Sequence, residues 1–247
     1  MSKELFITGA GVSASSGIPT FRGTDGFWTI GSINYTPQQM ATRQMYEYDP
    51  VQFLLWYYKR FATYKDSKPN TVHNWLSDKK LITQNIDGLD FKAGNKDYIP
   101  IHGRLDKLVR YDDEMKFQDP IDAKWEDIDE KLDDKELANH LLKKFKIPTI
   151  NGLPKPDFGI SLKPYVLLFD EMYTEIYRFS EAEKWMQSAN KIIFMGTSFS
   201  VNITSIALRV AFSKNIPIEI VDPNPIKLDY SKVKYFPMSA EEYCKSN

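Results

Sequence analysis

The chain has 247 residues, 42% of them hydrophobic and 26% charged, with a net charge of -1. That is the balance of a folded globular chain able to bury a sizeable core, and the near-zero charge gives no electrostatic case for nucleic acid or an anionic membrane as partner. A single cysteine, Cys244, excludes an intramolecular disulfide and a cysteine zinc site in this sequence, and no apolar run approaches the roughly 20 residues of a membrane helix.

The opening residues, MSKELFITGAG, enter a strand almost at once, which leaves no room for a signal peptide, so the expected location is cytoplasmic. Residues 5–8 are the first of several apolar runs that read as buried parallel strands; 80–83, 165–169, 191–195 and 216–221 are the others. Each ends at polar or glycine-rich residues, and helix-like sequence separates it from the next. Ligands of such sheets sit beyond the carboxyl ends of the strands, where Gly9, Gln84 with Asn85, Gly196 and Asp222 fall. Between the strands, residues 17–79 hold a loop and two or three helices, one of them aromatic-rich around residues 53–60. Residues 104–163 show no clear strand and contain an acidic helical segment over 121–145. In it Ile121, Trp125, Ile128 and Leu132 recur at helical spacing, and Lys143, Lys144 and Lys146 close the end as the helix dipole favours. Its charge run reads as a solvated helix face.

The expected fold is therefore α/β: a Rossmann-like parallel sheet with helices on both faces, plus a smaller, mainly helical module. The large domain is drawn from about 1–35, 80–103 and 164–247, and the small module from about 36–79 and 104–163. No internal repeat is visible.

Gly9-Ala10-Gly11-Val12-Ser13-Ala14 fits G-x-G-x-x-[GA] after a strand and before a helix. Glycines there let the backbone turn and approach a pyrophosphate; the plainer reading is a tight strand-to-helix turn. The dinucleotide fingerprint also expects an acidic residue about 20 positions on, at the end of a second strand. The nearest acid, Asp25, lies in a glycine-flanked loop, which disfavours a plain dehydrogenase.

The longer pattern resembles the sirtuins. Gly9-Ala10-Gly11-Val12-Ser13, Ser16-Gly17-Ile18-Pro19-x-Phe21-Arg22 and Gly26-Phe27-Trp28 are similar to the family's first signature. Thr83-Gln84-Asn85-Ile86-Asp87-Gly88-Leu89-Asp90, Ala93-Gly94-Asn95 and Ile101-His102-Gly103 are similar to the second, and Gly196-Thr197-Ser198 to the third. Lys68-Pro69-Asn70 with His73 resembles the entry to the helix before the second signature. The resemblance implies an NAD-dependent protein-lysine deacylase acting on an acyl-lysine protein or peptide and releasing nicotinamide and O-acyl-ADP-ribose. Protein ADP-ribosyl transfer or NAD hydrolysis on the same fold is the alternative. A non-catalytic NAD-sensing module is disfavoured by Asn85, Asp87 and His102.

By the same resemblance, Gly9, Ala10, Gly11, Ser13, Ile18, Pro19, Phe21, Arg22 and Trp28 contact NAD. So do Gln84, Asn85, Ile86, Asp87 and His102, and then Gly196, Thr197, Ser198, Asp222, Pro223, Asn224 and Ala240. The residue chemistry agrees: Arg22 suits a phosphate, Asp87 can accept from the carboxamide, and an imidazole such as His102 can take a proton near neutrality. His102, as general base, and Asn85 are the expected catalytic residues. His73 and His140 read as a helix-start residue and an exposed helix residue.

Two departures matter. Most sirtuins carry a four-cysteine zinc module after the His-Gly, and this sequence has none of those cysteines. A zinc-free module held by Trp125, Ile128, Leu132, Leu141 and Phe145 is expected instead. The run to Val166, Phe169, Asp170 and Glu171 is similar to the family's peptide-binding strand, with Asp170 where the family has Gly, a residue that tolerates φ > 0 if the backbone needs it. Tyr57-x-x-Arg60 resembles the pair found in sirtuins that remove succinyl or malonyl groups; the plainer reading is a core tyrosine and a surface arginine.

Overall fold

The computed structural model of the protein describes residues 3–19, 35–112, 118–129 and 131–247. In chain order it runs β1 (Glu4–Thr8), a 3-10 turn (Ala10–Ser16), α1 (Pro37–Met40), α2 (Arg43–Tyr48), α3 (Pro50–Tyr64), α4 (Thr71–Trp75) and β2 (Leu81–Thr83). There follow α5 (Leu89–Lys92), β3 (Tyr98–Pro100), β4 (Gly103–Arg110), β5 (Ile121–Asp122), α6 (Asp134–Lys144), β6 (Thr149–Ile150), β7 (Leu153–Pro154) and β8 (Leu162–Val166). The chain closes with α7 (Phe179–Ser188), β9 (Lys191–Met195), α8 (Asn202–Ser213), β10 (Ile218–Val221), β11 (Val233–Phe236) and α9 (Ala240–Ser246).

These elements form two compact units. The first takes its described residues from 3–19, 67–102 and 177–247, the second from 35–66 and 103–176. Two stretches fall differently from expectation: 67–79 belongs with the first unit, where α4 packs on α5 and α9, and 164–176 with the second.

The first unit is built on a six-stranded sheet in the order β11-β10-β9-β1-β2-β3, all parallel. Successive side chains alternate between faces, and both faces are apolar. Phe6, Ile193, Met195 and Leu81 pack with Val72 and Leu76 near α4 and with Ala240 and Tyr243 of α9. Leu5, Ile7, Ile192 and Phe194, the alternate positions, are equally buried. The strand order turns at β1: β2 and β3 extend one side, and β9, β10 and β11 the other. Ligand crevices form at such a switch point, outside the carboxyl ends of the strands. The register places Thr8 beside both Thr83 and Met195, and Met195 beside Val221, so four strands end level. β3 and β11 were not expected; each is a short edge strand, one ending in Pro100, the other half-exposed.

The second unit corrects three expectations. Residues 104–163 do contain strands, led by β4, which pairs antiparallel with β5 and β8. The register of β4 slips between Arg104 and Leu108, so its apolar residues do not alternate and the strand hides in the sequence. The apolar run expected as a parallel strand over 165–169 is β8, which ends at Val166 and lies antiparallel in this sheet. The segment 121–145 is not one helix. Lys124 sits at φ 48, a left-handed conformation that breaks it, and Ile121 is exposed. A 3-10 turn at Trp125–Asp127 is followed by the α-helix α6, with an Asp133–Glu136 capping box at its start and Lys143 and Lys144 at its end.

The core of this unit surrounds Trp125. Its indole donates to Leu105 O at 2.9 Å, and its rings lie 5.4–5.7 Å from Tyr58, Phe61 and Phe145. Ile128, Leu141 and Phe145 are buried with it, while Leu132 is only half-buried. The aromatic-rich helix is α3, started by Asp49, whose carboxylate accepts from Gln52 N at 3.0 Å, and by Pro50.

Candidate active site

In the first unit, the turns after β1 and β9 interlock through glycine. A Cβ on Gly9 would stand 2.8 Å from Gly196 O, and one on Gly11 2.7 Å from Gly196 Cα. A Cβ on Gly196, whose φ is +59, would meet Val12 N at 2.8 Å. Gly11 N donates to Gly196 O at 2.9 Å and Gly9 N to Met195 O at 3.1 Å. The glycine motif is therefore required by backbone packing at the switch point, before any ligand is considered.

Above this junction Ser13 gathers the polar side chains. Its hydroxyl donates to Asp87 Oδ2 at 2.7 Å, accepts from Asn85 Nδ2 at 3.1 Å, and lies 3.3 Å from His73 Nε2. Asn85 Nδ2 also donates to Gly9 O at 3.1 Å, and Asp87 Oδ1 accepts from Leu89 N at 2.9 Å. Asn70 caps α4, holding His73 in a capping box, and reaches Val12 O at 2.8 Å. His73 is buried, which lowers its pKa against the opposing pull of Asp87.

His102 follows β3. Its Nδ1 lies 2.9 Å from Gln84 O, a carbonyl that can only accept, so the proton sits on Nδ1 and the lone pair on Nε2. Burial lowers the imidazole pKa to about 4, and the bond to Gln84 opposes the fall. The Gln84 amide lies 3.1 Å from the hydroxyl of Thr197, which follows Gly196. Ser198 is exposed, its hydroxyl 2.7 Å from that of Ser200. Asp222 Oδ1 accepts from Asn224 N at 2.8 Å, with Pro223 and Asn224 exposed after β10. Ala240 is buried at the start of α9; Ile18 is buried, and Ala10, Pro19 and Ile86 are half-buried. Phe21, Arg22 and Trp28 lie outside the described residues.

The second unit holds the residues expected to meet the acyl-lysine. Tyr57 and Arg60 on α3 are 2% and 3% exposed. Arg60, expected on the plainer reading at the surface, instead turns back onto its own helix, 3.3 Å above the Trp56 ring, with Nη1 donating to Trp56 O at 3.2 Å. Burial lowers its pKa to about 9, opposed by Tyr57 and Tyr64, and raises that of Tyr57. Val166 is buried at the end of β8, and Phe169 is exposed. Phe169 N donates to Ala41 O at 3.0 Å, and Asp170 accepts from Arg43 N at 2.7 Å and Gln44 N at 3.0 Å, capping α2. Asp170 is not among the residues of positive φ, so it is its carboxylate that serves there, not its backbone tolerance. Glu171 is bonded by Lys163, accepts from Leu168 N at 3.1 Å, and lies 3.7 Å from Arg43.

The pattern of the Sir2 family matches residues 9–203 of this sequence. The chain belongs to the Sir2 family. It is 29% identical over 235 residues to an NAD-dependent protein deacylase of Thermus thermophilus, covering 90% of this chain and 80% of that one. It is 34% identical over 200 residues to NAD-dependent protein deacylase 1 of Archaeoglobus fulgidus, covering 78% and 69%. A Sir2 homologue solved with NAD superposes with a TM-score of 0.72 at 27% identity, over 99% of this chain and 88% of that one.

Within this Sir2 chain three groups to which the sequence assigns no site role lie beside the Ser13 network. His73, a helix-start residue by its sequence context, meets Ser13 across 60 positions of sequence. Thr8 and Thr83 bond to each other at 3.0 Å beneath Asn85, at the ends of two strands. Asp90 is a buried carboxyl on α5. Asn70-x-x-His73 carries a capping-box spacing, and Thr83 and Asp90 stand at the two ends of the second signature.

Proposed function

We infer that this chain is an NAD-dependent protein-lysine deacylase. The observation that carries the reading is the Ser13–Asn85–Asp87 network beside the level strand ends, with His102 held by Gln84 of the same loop. The donor set suits a dinucleotide: a carboxylate for a carboxamide NH2, amide and hydroxyl groups for riboses, and a carboxylate at the end of β10 for the adenosine ribose. NAD supplies the nicotinamide leaving group and the ribose carbon that takes the acyl oxygen. Asn85 and Asp87 orient the carboxamide, Ser13 fixes Asp87, and Gln84 with Thr197 meets ribose. His102 Nε2 takes the proton of a ribose hydroxyl.

For the acyl group, Tyr57 and Arg60 favour a short acidic chain. The guanidinium has lost enough solvation to lower its proton affinity, and a succinyl or malonyl carboxylate beside it would compensate that lost solvation with a charge-assisted hydrogen bond. Nicotinamide release and peptide products measured with NAD and a panel of acyl-lysine peptides test both readings. Deacylation is expected, with succinyl turnover lost more than acetyl turnover in Arg60→Met. Nicotinamide release independent of any acyl peptide assigns NAD hydrolysis or ADP-ribosyl transfer instead; the bonded segment 169–171 gives that second reading its footing.

The module is proposed to be zinc-free, its interior filled by Trp125 and its neighbours, with Cys244 as the lone thiol of the sequence. Metal analysis of purified protein showing about one zinc per chain overturns this. No helix among the described residues is long and apolar enough to cross a membrane, and a cytoplasmic location is proposed.

A further inference from the structure

The chemistry assigned above leaves one buried carboxyl unused. Asp90, in the first turn of α5, is 2% exposed and stands three residues after Asp87, which precedes the helix. Thr83 Oγ1 accepts from Thr8 Oγ1 at 3.0 Å and from Asn85 N at 3.2 Å, which leaves its own proton for a further acceptor, and the hydroxyl favours the ionised form of the Asp90 carboxyl. The second oxygen, Oδ1, is buried with no hydrogen-bond partner. From Asn85 the same set of bonds runs through Ser13 to Asp87. Asp87 thus accepts at both of its oxygens, and its charge acts on the Asp90 carboxyl three residues further on.

A buried carboxylate with an orphan oxygen is disfavoured far more strongly than a neutral carboxylic acid of the same shape. Burial, reinforced by the charge of Asp87, raises the Asp90 pKa to about 7, and the Thr83 hydroxyl opposes the rise. Asp87 is the charged group that acts on Asp90 among the described residues. His73, from α4, also feels the charge of Asp87, and burial lowers its pKa. β2 contributes the uncharged Thr83. Lys92, on α5 itself, reaches Ser67 O at 3.2 Å.

We propose that Asp90 is a positioning residue that acts on NAD through Asp87. The charge it carries behind the Asn85–Asp87 loop sets how tightly that loop holds the cationic nicotinamide ring of NAD, as against free, uncharged nicotinamide. The inference rests on the reading that Asp87 orients the carboxamide. Ionised Asp90 adds a negative charge that favours a pyridinium and gives neutral nicotinamide no comparable gain. By linkage, NAD binding then releases protons from Asp90 near neutrality.

The test is calorimetric titration of NAD and of nicotinamide into the wild type and Asp90→Asn, from pH 6 to pH 8, in buffers of different ionisation enthalpy. Wild-type NAD affinity is expected to rise about threefold to tenfold across that range, with proton release. In Asp90→Asn the rise and the proton release shrink, nicotinamide affinity changes with pH in neither protein, and Asp90→Glu restores the slope. Ligand-free thermal unfolding supplies an independent readout. A pKa raised on folding stabilises the wild type fully below about pH 4, and that stability is lost as pH rises through about 7; Asp90→Asn lacks this decline. If Asp90→Asn does not fold, Asp90→Ser is read in the same way. NAD binding with the same pH slope in wild type and the neutral variant overturns the inference alone. Failure of the wild type to bind NAD overturns the site reading and the inference with it.

Discussion

Deacylation of an acyl-lysine peptide falls about 10²- to 10⁴-fold in His102→Ala, the span that general base catalysis covers. The imidazole donates Nδ1–H to Gln84 O at 2.9 Å, so the ring is oriented and Nε2 carries the lone pair before substrate arrives. Alanine removes that lone pair without touching the Ser13–Asn85–Asp87 network. Nicotinamide release from NAD with peptide therefore falls less than peptide deacylation does. A burst of nicotinamide release without matching deacylated peptide is the expected record, and equal losses in both count against the role. The pH profile sharpens the assignment. Burial lowers the His102 pKa from 6.5 to about 4, so the neutral, base-competent form persists down to that pH. kcat/KM, which reports the free enzyme, shows no acid limb from His102 near 6.5, and His102→Ala leaves the shape of the profile between pH 5.5 and 7 unchanged. For stability the sign is the usual one for a depressed pKa. The contribution of His102 is complete above about 6.5 and is lost as pH falls through about 4.

How much of this was legible in the sequence depends on how local the cause is. The central strands declare themselves because both faces of a parallel sheet are buried, and Leu5-Phe6-Ile7 or Ile192-Ile193-Phe194-Met195 can then be apolar throughout. β4 does not, because its register slip removes the alternation and charged residues fill the solvent side. β8 misleads for the opposite reason: it is buried at every position though it belongs to an antiparallel sheet, and composition cannot tell the two apart. At the site, glycine and amide residues at strand ends pointed to the loops in which the Ser13–Asn85–Asp87 network forms. What they could not show is that Gly9 and Gly11 are fixed by Gly196, far away along the chain. Nor could they show that His73 serves Ser13, or that Asp170 is kept for its carboxylate on α2. Each depends on a contact between distant segments, which a single sequence does not encode as a spacing.

The glycine after His102 shows how such a contact constrains the chain. Gly103 opens β4 opposite Val166 of β8, at φ +82. A Cβ there would lie 1.9 Å from Tyr165 O, 2.7 Å from Tyr165 C and 3.1 Å from Val166 Cα. The obstacle is backbone held in a ladder, not a side-chain tip that can swing away, so the two strands must part for the methyl to fit. The left-handed conformation alone costs an alanine about 1–2 kcal/mol. Adding the collision and the broken ladder places Gly103→Ala above about 4 kcal/mol, among the exceptional single substitutions. Gly17→Ala and Gly94→Ala separate the two terms. Their φ values are +79 and +90, and a Cβ at either meets nothing within 4 Å, so each loses only the conformational part, about 1–2 kcal/mol. Denaturant midpoints of the three variants, read with a common slope, check the ordering. A Gly103→Ala midpoint within error of the Gly17→Ala midpoint would mean that β4 and β8 accommodate a methyl at this crossing and that the close approach is not what fixes the glycine. Where Gly103→Ala keeps a folded fraction, its deacylation per folded molecule also falls, because the parting of the strands begins one residue after the imidazole and shifts the backbone that carries it.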